Sequence, residues 1–166
     1  MKITTKTGDK GETGMFNGRR VSKASIEMEA LGGLDELQAL LGAARHVEGV
    51  DGALIVRIQD DVYRIMSVVG FGGKCPMTIE EVNEADVELL EEEMKKRKEL
   101  FEDIKGFVRP GETKDDALMH LCRAVCRRAE RCLVALREVH EETVSEEVLK
   151  YMNRLSDLLF VLGLEV

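Results

Sequence analysis

The sequence predicts an all-α fold, a five-helix bundle preceded by a glycine-rich loop, and three observations predict it. The 166 residues are 44% hydrophobic, but only 4% are aromatic and Trp is absent. Sandwiches and barrels draw on aromatic and β-branched residues, so this balance favours helices. From about residue 23 onward, apolar residues recur at helical spacing in successive blocks. Between the blocks stand breakers, Gly70-Phe-Gly-Gly-Lys-Cys-Pro76 and Pro110-Gly111. The length suits a single domain over 1–166, with a loop at 1–23 and helices in 24–166.

Residues 1–23 have no helical pattern. Gly8, Gly11 and Gly14 fall at three-residue spacing among hydroxyls, with Lys6, Lys10 and Lys23 adding charge. Such a segment can turn its backbone N–H groups toward an anion, or it can be an untethered tail. It lacks the Gly-Lys-Ser/Thr of a Walker A loop. The first helix is expected from about Lys23 to His46 on Leu31, Leu34, Leu37, Leu41 and Ala44. Gly32-Gly33 weakens it by about 1 kcal/mol per glycine, which implies close approach to its backbone or a start nearby. Asp35, flanked by core-facing leucines, could meet an arginine.

Asp51 is the expected N-cap of a second helix reaching Val69. Thr78-Ile-Glu-Glu81 reads as a capping box opening a third helix to about Phe101, strongly acidic on its outer face. Thr113-Lys-Asp-Asp116 caps a fourth helix to about Val139, and Ser145 opens a fifth.

Net charge is −8, unevenly spread: residues 1–23 carry six Lys/Arg against two Asp/Glu, and residues 80–103 carry eleven Asp/Glu against four Lys/Arg. An acidic chain with a basic start argues against nucleic acid and for a local anion site. No stretch approaches the roughly 18–20 apolar residues of a membrane span, and no signal-peptide core follows Met1. The expectation is a cytoplasmic protein that engages no membrane. Cys122, Cys126 and Cys132 lack the short Cys-x2-Cys spacing of zinc knuckles and read as small buried residues, so no metal site is assigned. His46, His120 and His140 show no partner pattern and read as surface or packing residues.

The fourth helix carries Arg123-Ala-Val-Cys-Arg127-Arg128-Ala-Glu130-Arg131. Helical spacing sets Arg123, Arg127 and the Glu130/Arg131 pair on one stripe, while Leu118, Leu121, Cys122, Val125, Ala129, Cys132 and Leu136 supply packing. Four arginines in nine residues form either a solvated basic face or a polyphosphate site, since guanidinium forks bind phosphate bidentately.

Three stretches together resemble one family. They are Thr5-Lys-Thr-Gly-Asp-Lys-Gly-Glu-Thr13, the Arg123–Arg131 run, and Tyr151-Met-Asn153-Arg154-Leu-Ser-Asp157. Asp35-Glu-Leu and Phe107-Val-Arg-Pro-Gly match in order and spacing as well. The family is the ATP:cob(I)alamin adenosyltransferases of the propanediol-utilisation type. The resemblance implies transfer of the 5′-deoxyadenosyl group of ATP to cob(I)alamin with Mg²⁺, in a homotrimer with active sites between subunits. It implies ATP contacts from Thr5, Lys6, Thr7, Gly8, Thr13, Gly14 and Lys23 of one subunit, and from Arg127, Arg128, Glu130, Arg131 and Asn153 of its neighbour. It implies a catalytic set of Arg127, Phe107, Arg123 and Asp35, with Arg127 facing the triphosphate, Phe107 against the corrin face, and Asp35 pairing with Arg123 across the interface, a pair that reads as mainly structural. A cobalt reductase and an adenosylcobalamin-dependent enzyme are implied partners. The chain departs from the family pattern at Thr4, Gln38, Arg109 and Glu112, the last two near the expected corrin pocket. A non-enzymatic ATP carrier or sensor, and a purely structural oligomer, are the rival readings; only the enzyme needs an aromatic at 107.

Overall fold

The computed structural model describes residues 4, 6–73, 75–76 and 78–166. It holds a two-stranded hairpin, β1 (Glu12–Gly14) and β2 (Arg20–Ser22), followed by helices α1 (Ile26–Ala44), α2 (Gly52–Phe71), α3 (Glu84–Lys95), α4 (Lys114–Val139) and α5 (Glu146–Gly163). The five expected helices are all present.

The caps explain most boundaries. Ser25, Asp51, Thr113 and Ser145 each adopt extended backbone and accept a backbone N–H from the first turn of the helix that follows. The third helix corrects the sequence expectation. Its capping box is Asn83 with Asp86, not Thr78 with Glu81, so α3 begins at Glu84. It also stops at Lys95, and a single 3₁₀ turn at Lys98–Leu100 covers the rest of the expected span. Gly72, in the left-handed region at φ 72°, ends α2 with its N–H returned to the last turn.

α1 packs on α2 and α4, α4 also on α5, and α5 on α3. Leu34, Leu37, Leu41, Ile55, Ile58, Ile65, Leu133, Leu136, Leu155 and Leu159 meet in one core. Gly33 accounts for the weak middle of α1. A Cβ there would lie 3.3 Å from Ala129 Cα, so the glycine brings α1 and α4 close. Leu121 is a second correction: expected to pack, it is 49% exposed, while Cys126 takes the buried face.

A buried polar network joins α2 to α3 and α5. Asp61, 1% exposed, accepts from the Tyr151 hydroxyl at 2.9 Å and pairs with Arg57 and Arg64, which both also reach Asp86. The hairpin is fastened at both ends of its turn. Met15 N–H bonds Arg19 O at 2.8 Å, Phe16 N–H bonds Gly70 O at 2.9 Å, and Arg19 pairs with Glu27 at the start of α1.

Candidate active site

The N-terminal segment folds onto its hairpin. Arg20 donates to Thr7 O at 3.1 Å and to Glu12 Oε2 at 3.3 Å. Lys23 N–H bonds Gly11 O at 2.8 Å, and the Lys23 ammonium lies over Gly8, where a Cβ would sit 3.1 Å from Nζ. Gly8 therefore admits the cation, and Lys6 is exposed beside it with a left-handed φ of 60°. Thr13 pairs with Val21 in the hairpin, and Gly14 lines a cavity of about 290 Å³ with Phe16, Met28, Leu31, Asp35 and Met66. Thr5 lies outside the described residues.

The arginine stripe occupies a different wall. Arg123 and Arg127 line a cavity of about 380 Å³ with Met94, Phe101, Ser156, Asp157, Phe160 and Val161. Arg127 donates to Ser156 Oγ at 3.5 Å, and Arg131 donates to Arg127 O at 2.9 Å. Asn153 donates to Glu130 Oε1 at 3.3 Å and accepts from Arg154 at 3.0 Å, which aligns α5 with the stripe. Arg128 turns toward α1 and pairs with Glu36. Of the four arginines in the Arg123–Arg131 run, only Arg128 forms an ion pair among the described residues. In a chain with eight more acidic than basic charges, Asp157 shares the cavity wall and acts on Arg127 through its charge, but Arg123, Arg127 and Arg131 make no ion pair among the described residues. Such groups favour an anion.

Asp35 is exposed and has no described contact with Arg123, whose Nε instead donates to His120 Nδ1 at 3.3 Å. Phe107 is fully exposed. Its loop forms one side of a further cavity of about 390 Å³, with Arg109, Glu112 and Asp116 facing Gly163 and Val166 at the end of α5. The chain thus brings Arg123, Arg127, Glu130, Arg131 and Asn153 to one region, and Lys6, Gly8, Thr13, Gly14 and Lys23 to another.

Sequence reasoning passed over Ser156, Asp157, Phe101 and Phe160 in the wall of the arginine cavity. Burial raises the Asp157 carboxyl above its ordinary range, opposed by Arg154 and Arg127. Asp157 lies in the quoted α5 stretch four residues after Asn153, a one-turn signal that could have found it.

The fold is a five-helix bundle with an N-terminal hairpin, and its candidate cations fall in two regions, Arg123 and Arg127 in one cavity wall and Lys6 and Lys23 on the loop. The family described as Cobalamin adenosyltransferase matches over residues 3–166, and the chain belongs to that family. A corrinoid adenosyltransferase of Bacillus subtilis is 36% identical over 170 residues, covering 96% of this chain and 83% of the relative. A cobalamin adenosyltransferase of Cupriavidus metallidurans is 37% identical over 166 residues, covering 98% and 86%. Among solved structures, a variant PduO-type ATP:corrinoid adenosyltransferase from Lactobacillus reuteri, complexed with cobalamin and ATP, superposes with a TM-score of 0.85 at 27% identity. That match covers 98% of this chain and 89% of the other.

Proposed function

We propose that this protein transfers the 5′-deoxyadenosyl group of ATP to the cobalt of cob(I)alamin, giving adenosylcobalamin and triphosphate. The observation that carries the reading is a cavity wall holding Arg123 and Arg127, neither in an ion pair among the described residues, in a chain whose relatives are named for this reaction. In the reaction a Co–C5′ bond forms as the C5′–O5′ bond breaks, and the triphosphate leaves with the bonding electron pair. The protein need not supply a nucleophile. It must hold C5′ in line with cobalt and stabilise charge growing on the leaving oxygens.

In this reading Arg127 meets the triphosphate, with Arg128, Arg131 and Lys23 adding charge and Glu130 and Asn153 setting the alignment. Lys6, Thr7, Gly8, Thr13 and Gly14, with Thr5 preceding them, wrap the nucleotide. Phe107 lies against the corrin, excluding water and the lower axial ligand so that cobalt is more easily reduced. Mg²⁺ fits as a passenger on the phosphates. Among the described residues no group of three or more His, Cys, Asp or Glu is placed to hold a metal ion, and a phosphate-borne Mg²⁺ needs no protein cage. Its chemistry is charge neutralisation on the leaving group.

Because the loop and the stripe line different cavities of one chain, the site is proposed to form between subunits of a homotrimer, with Asp35 of one meeting Arg123 of the next. The protein is placed in the cytoplasm, in keeping with four free cysteines; among the described residues no helix is long and apolar enough to cross a membrane. An electron donor to cobalt and an enzyme that consumes adenosylcobalamin are the partners this chemistry needs.

The test is anaerobic mixing with cob(I)alamin and Mg-ATP, following the visible spectrum. Loss of the Co(I) bands with stoichiometric triphosphate supports the enzyme. ATP binding with persistent Co(I) favours a carrier. The shared site has its own assay. Lys23→Ala and Arg127→Ala proteins, each expected to be nearly inactive alone, are unfolded, mixed and refolded together. Recovered turnover in the mixture supports sites between subunits, and none refutes them.

A further inference from the structure

Between the arginine cavity and the Phe107 cavity lies a buried pair that the reaction above leaves unused. Asp116 is 6% exposed and His120 is 4% exposed, one helical turn apart on α4. Asp116 Oδ2 accepts the backbone N–H groups of Gly111 at 2.7 Å and Glu112 at 2.9 Å, which hold the turn beyond Phe107. Its Oδ1 faces His120 Nε2 at 3.1 Å. On the other edge of the ring, Nδ1 accepts from Arg123 Nε at 3.3 Å. Phe160, in the wall of the arginine cavity, meets the ring edge-on with centroids 5.8 Å apart. Gly163, in the wall of the Phe107 cavity, lies behind it; a Cβ there would sit 3.6 Å from Cδ2 and Nε2. The imidazole thus touches lining residues of both cavities, Arg123 and Phe160 on one side and Asp116 and Gly163 on the other.

Chemistry fixes the direction of this line. Burial, reinforced by Arg123 and opposed by Asp116, holds the His120 pKa below its ordinary value, so the ring is neutral and has one donor and one acceptor. A guanidinium only donates, so Nδ1 must accept and the proton belongs on Nε2, toward Asp116. One link is slack. Asp116 Oδ1 and His120 Nε2 are both buried, and although 3.1 Å apart they are not aligned as a hydrogen bond. A buried donor and acceptor left out of line carry a free-energy cost that a small movement of the Gly111–Glu112 turn would remove.

We infer that Asp116 and His120 are positioning residues that couple the Phe107 loop to the Arg123 guanidinium, so that corrinoid and ATP strengthen one another's binding. Seating the loop on the corrin draws Asp116 into line with Nε2–H, and the fixed imidazole then orients Arg123 for the ATP side. The inference rests on the function proposed above. By linkage, the factor by which one ligand improves the other is the same in both directions.

The test uses the whole protein and two variants that each keep half of the line. His120→Asn keeps an acceptor near the Nδ1 position, and His120→Gln keeps a donor near Nε2. ATP affinity is measured with and without bound cob(II)alamin, alongside thermal melting. The wild type is expected to show about a 5–150-fold gain in ATP affinity from the corrinoid. In both variants that ratio falls toward one, while affinity for ATP alone changes by less than about twofold. A purely structural histidine would lower the melting temperature and leave the ratio intact, which overturns the inference. A wild type that turns over without any coupling overturns it too, and leaves the adenosyltransferase reading standing. A wild type that binds neither ligand fails that reading first. Should one variant not fold, the other carries the same comparison.

Discussion

Tyr151→Phe is the sharpest probe of the polar network that joins α2, α3 and α5. The ring is fully buried, and its hydroxyl donates to Asp61 Oδ2 at 2.9 Å. Asp61 Oδ1 pairs with both Arg57 and Arg64, but Oδ2 has only a stretched contact to Arg57 Nε at 3.5 Å besides the tyrosine. Removing the hydroxyl therefore leaves one oxygen of a buried carboxylate nearly unpartnered, with a void no larger than one oxygen atom. A hydrogen bond to a charged group contributes about 1.5–3 kcal/mol, so the expected loss is about 2 kcal/mol. For a chain of 166 residues that corresponds to a drop in melting temperature of about 4–8 °C. Asp61→Asn should cost more, about 3–5 kcal/mol, because Arg57 and Arg64 would then share Asp86 alone. Urea unfolding followed by circular dichroism, at one protein concentration, gives both numbers with unchanged m. In the Asp61→Asn background the added loss from Tyr151→Phe should shrink by about 1 kcal/mol or more. A loss under about 0.5 kcal/mol, or equal losses in both backgrounds, would show that the hydroxyl is not held by the carboxylate.

The cap of α3 predicts that Asn83→Ala costs about 1 kcal/mol, whereas Thr78→Ala, in an exposed segment outside the helix, stays within about 0.5 kcal/mol; denaturation of the two variants decides. Acid stability should report Asp86: burial pushes its pKa up, but hydrogen bonds from Arg64, the Asn83 N–H and Arg57 outweigh it, so the folded value lies below the ordinary 3.8. Its contribution is present above 3.8 and lost as pH falls through the folded value, so wild type and Asp86→Asn should converge in stability on acidification. Tyr151 has the opposite sign. Burial and Asp61 hold its pKa well above 10.0, so its contribution is intact below pH 10.0 and lost on further alkalinisation, a loss that Tyr151→Phe should abolish. Arg127→Lys keeps the charge but not the fork, and kcat with saturating ATP should fall on the order of 10²-fold, with thermal stability little changed.

The helices were legible where their signals are local. Asp51, Thr113 and Ser145 cap the helices they precede because a cap bonds its own first turn. Thr78 misled because Thr-x-x-Glu and Asn83-x-x-Asp86 are both acceptable boxes, five residues apart. Arg57 and Arg64 reach Asp86 from another helix, and no window around residue 80 contains them. The hairpin was illegible for a related reason. Its strands are three residues each, and its anchors, Gly70 and Glu27, lie outside it. Within the site, spacing revealed the arginine stripe, but not that Arg128 alone would find a carboxylate in Glu36. Asp116, His120 and Arg123 were also visible as a four-then-three spacing on one helix face, a pattern eclipsed by the louder arginines.

That difference among the arginines bears on the proposal that the nucleotide site is divided between subunits. Clustered guanidiniums repel one another, and of this run only Arg128 forms an ion pair among the described residues. Within the chain, the candidate cations of the loop lie in a separate region, with Lys23 set over Gly8, and Gly14 and Asp35 line a cavity with no arginine in its wall. In the shared site proposed above, an anion would relieve the repulsion along α4 that Asp157, in the same cavity wall as Arg127, only partly offsets, and a second copy would supply the loop that covers it. Assembly and substrate binding then favour the same state, so ATP should raise the stability of the assembly by more than it could raise that of an isolated chain.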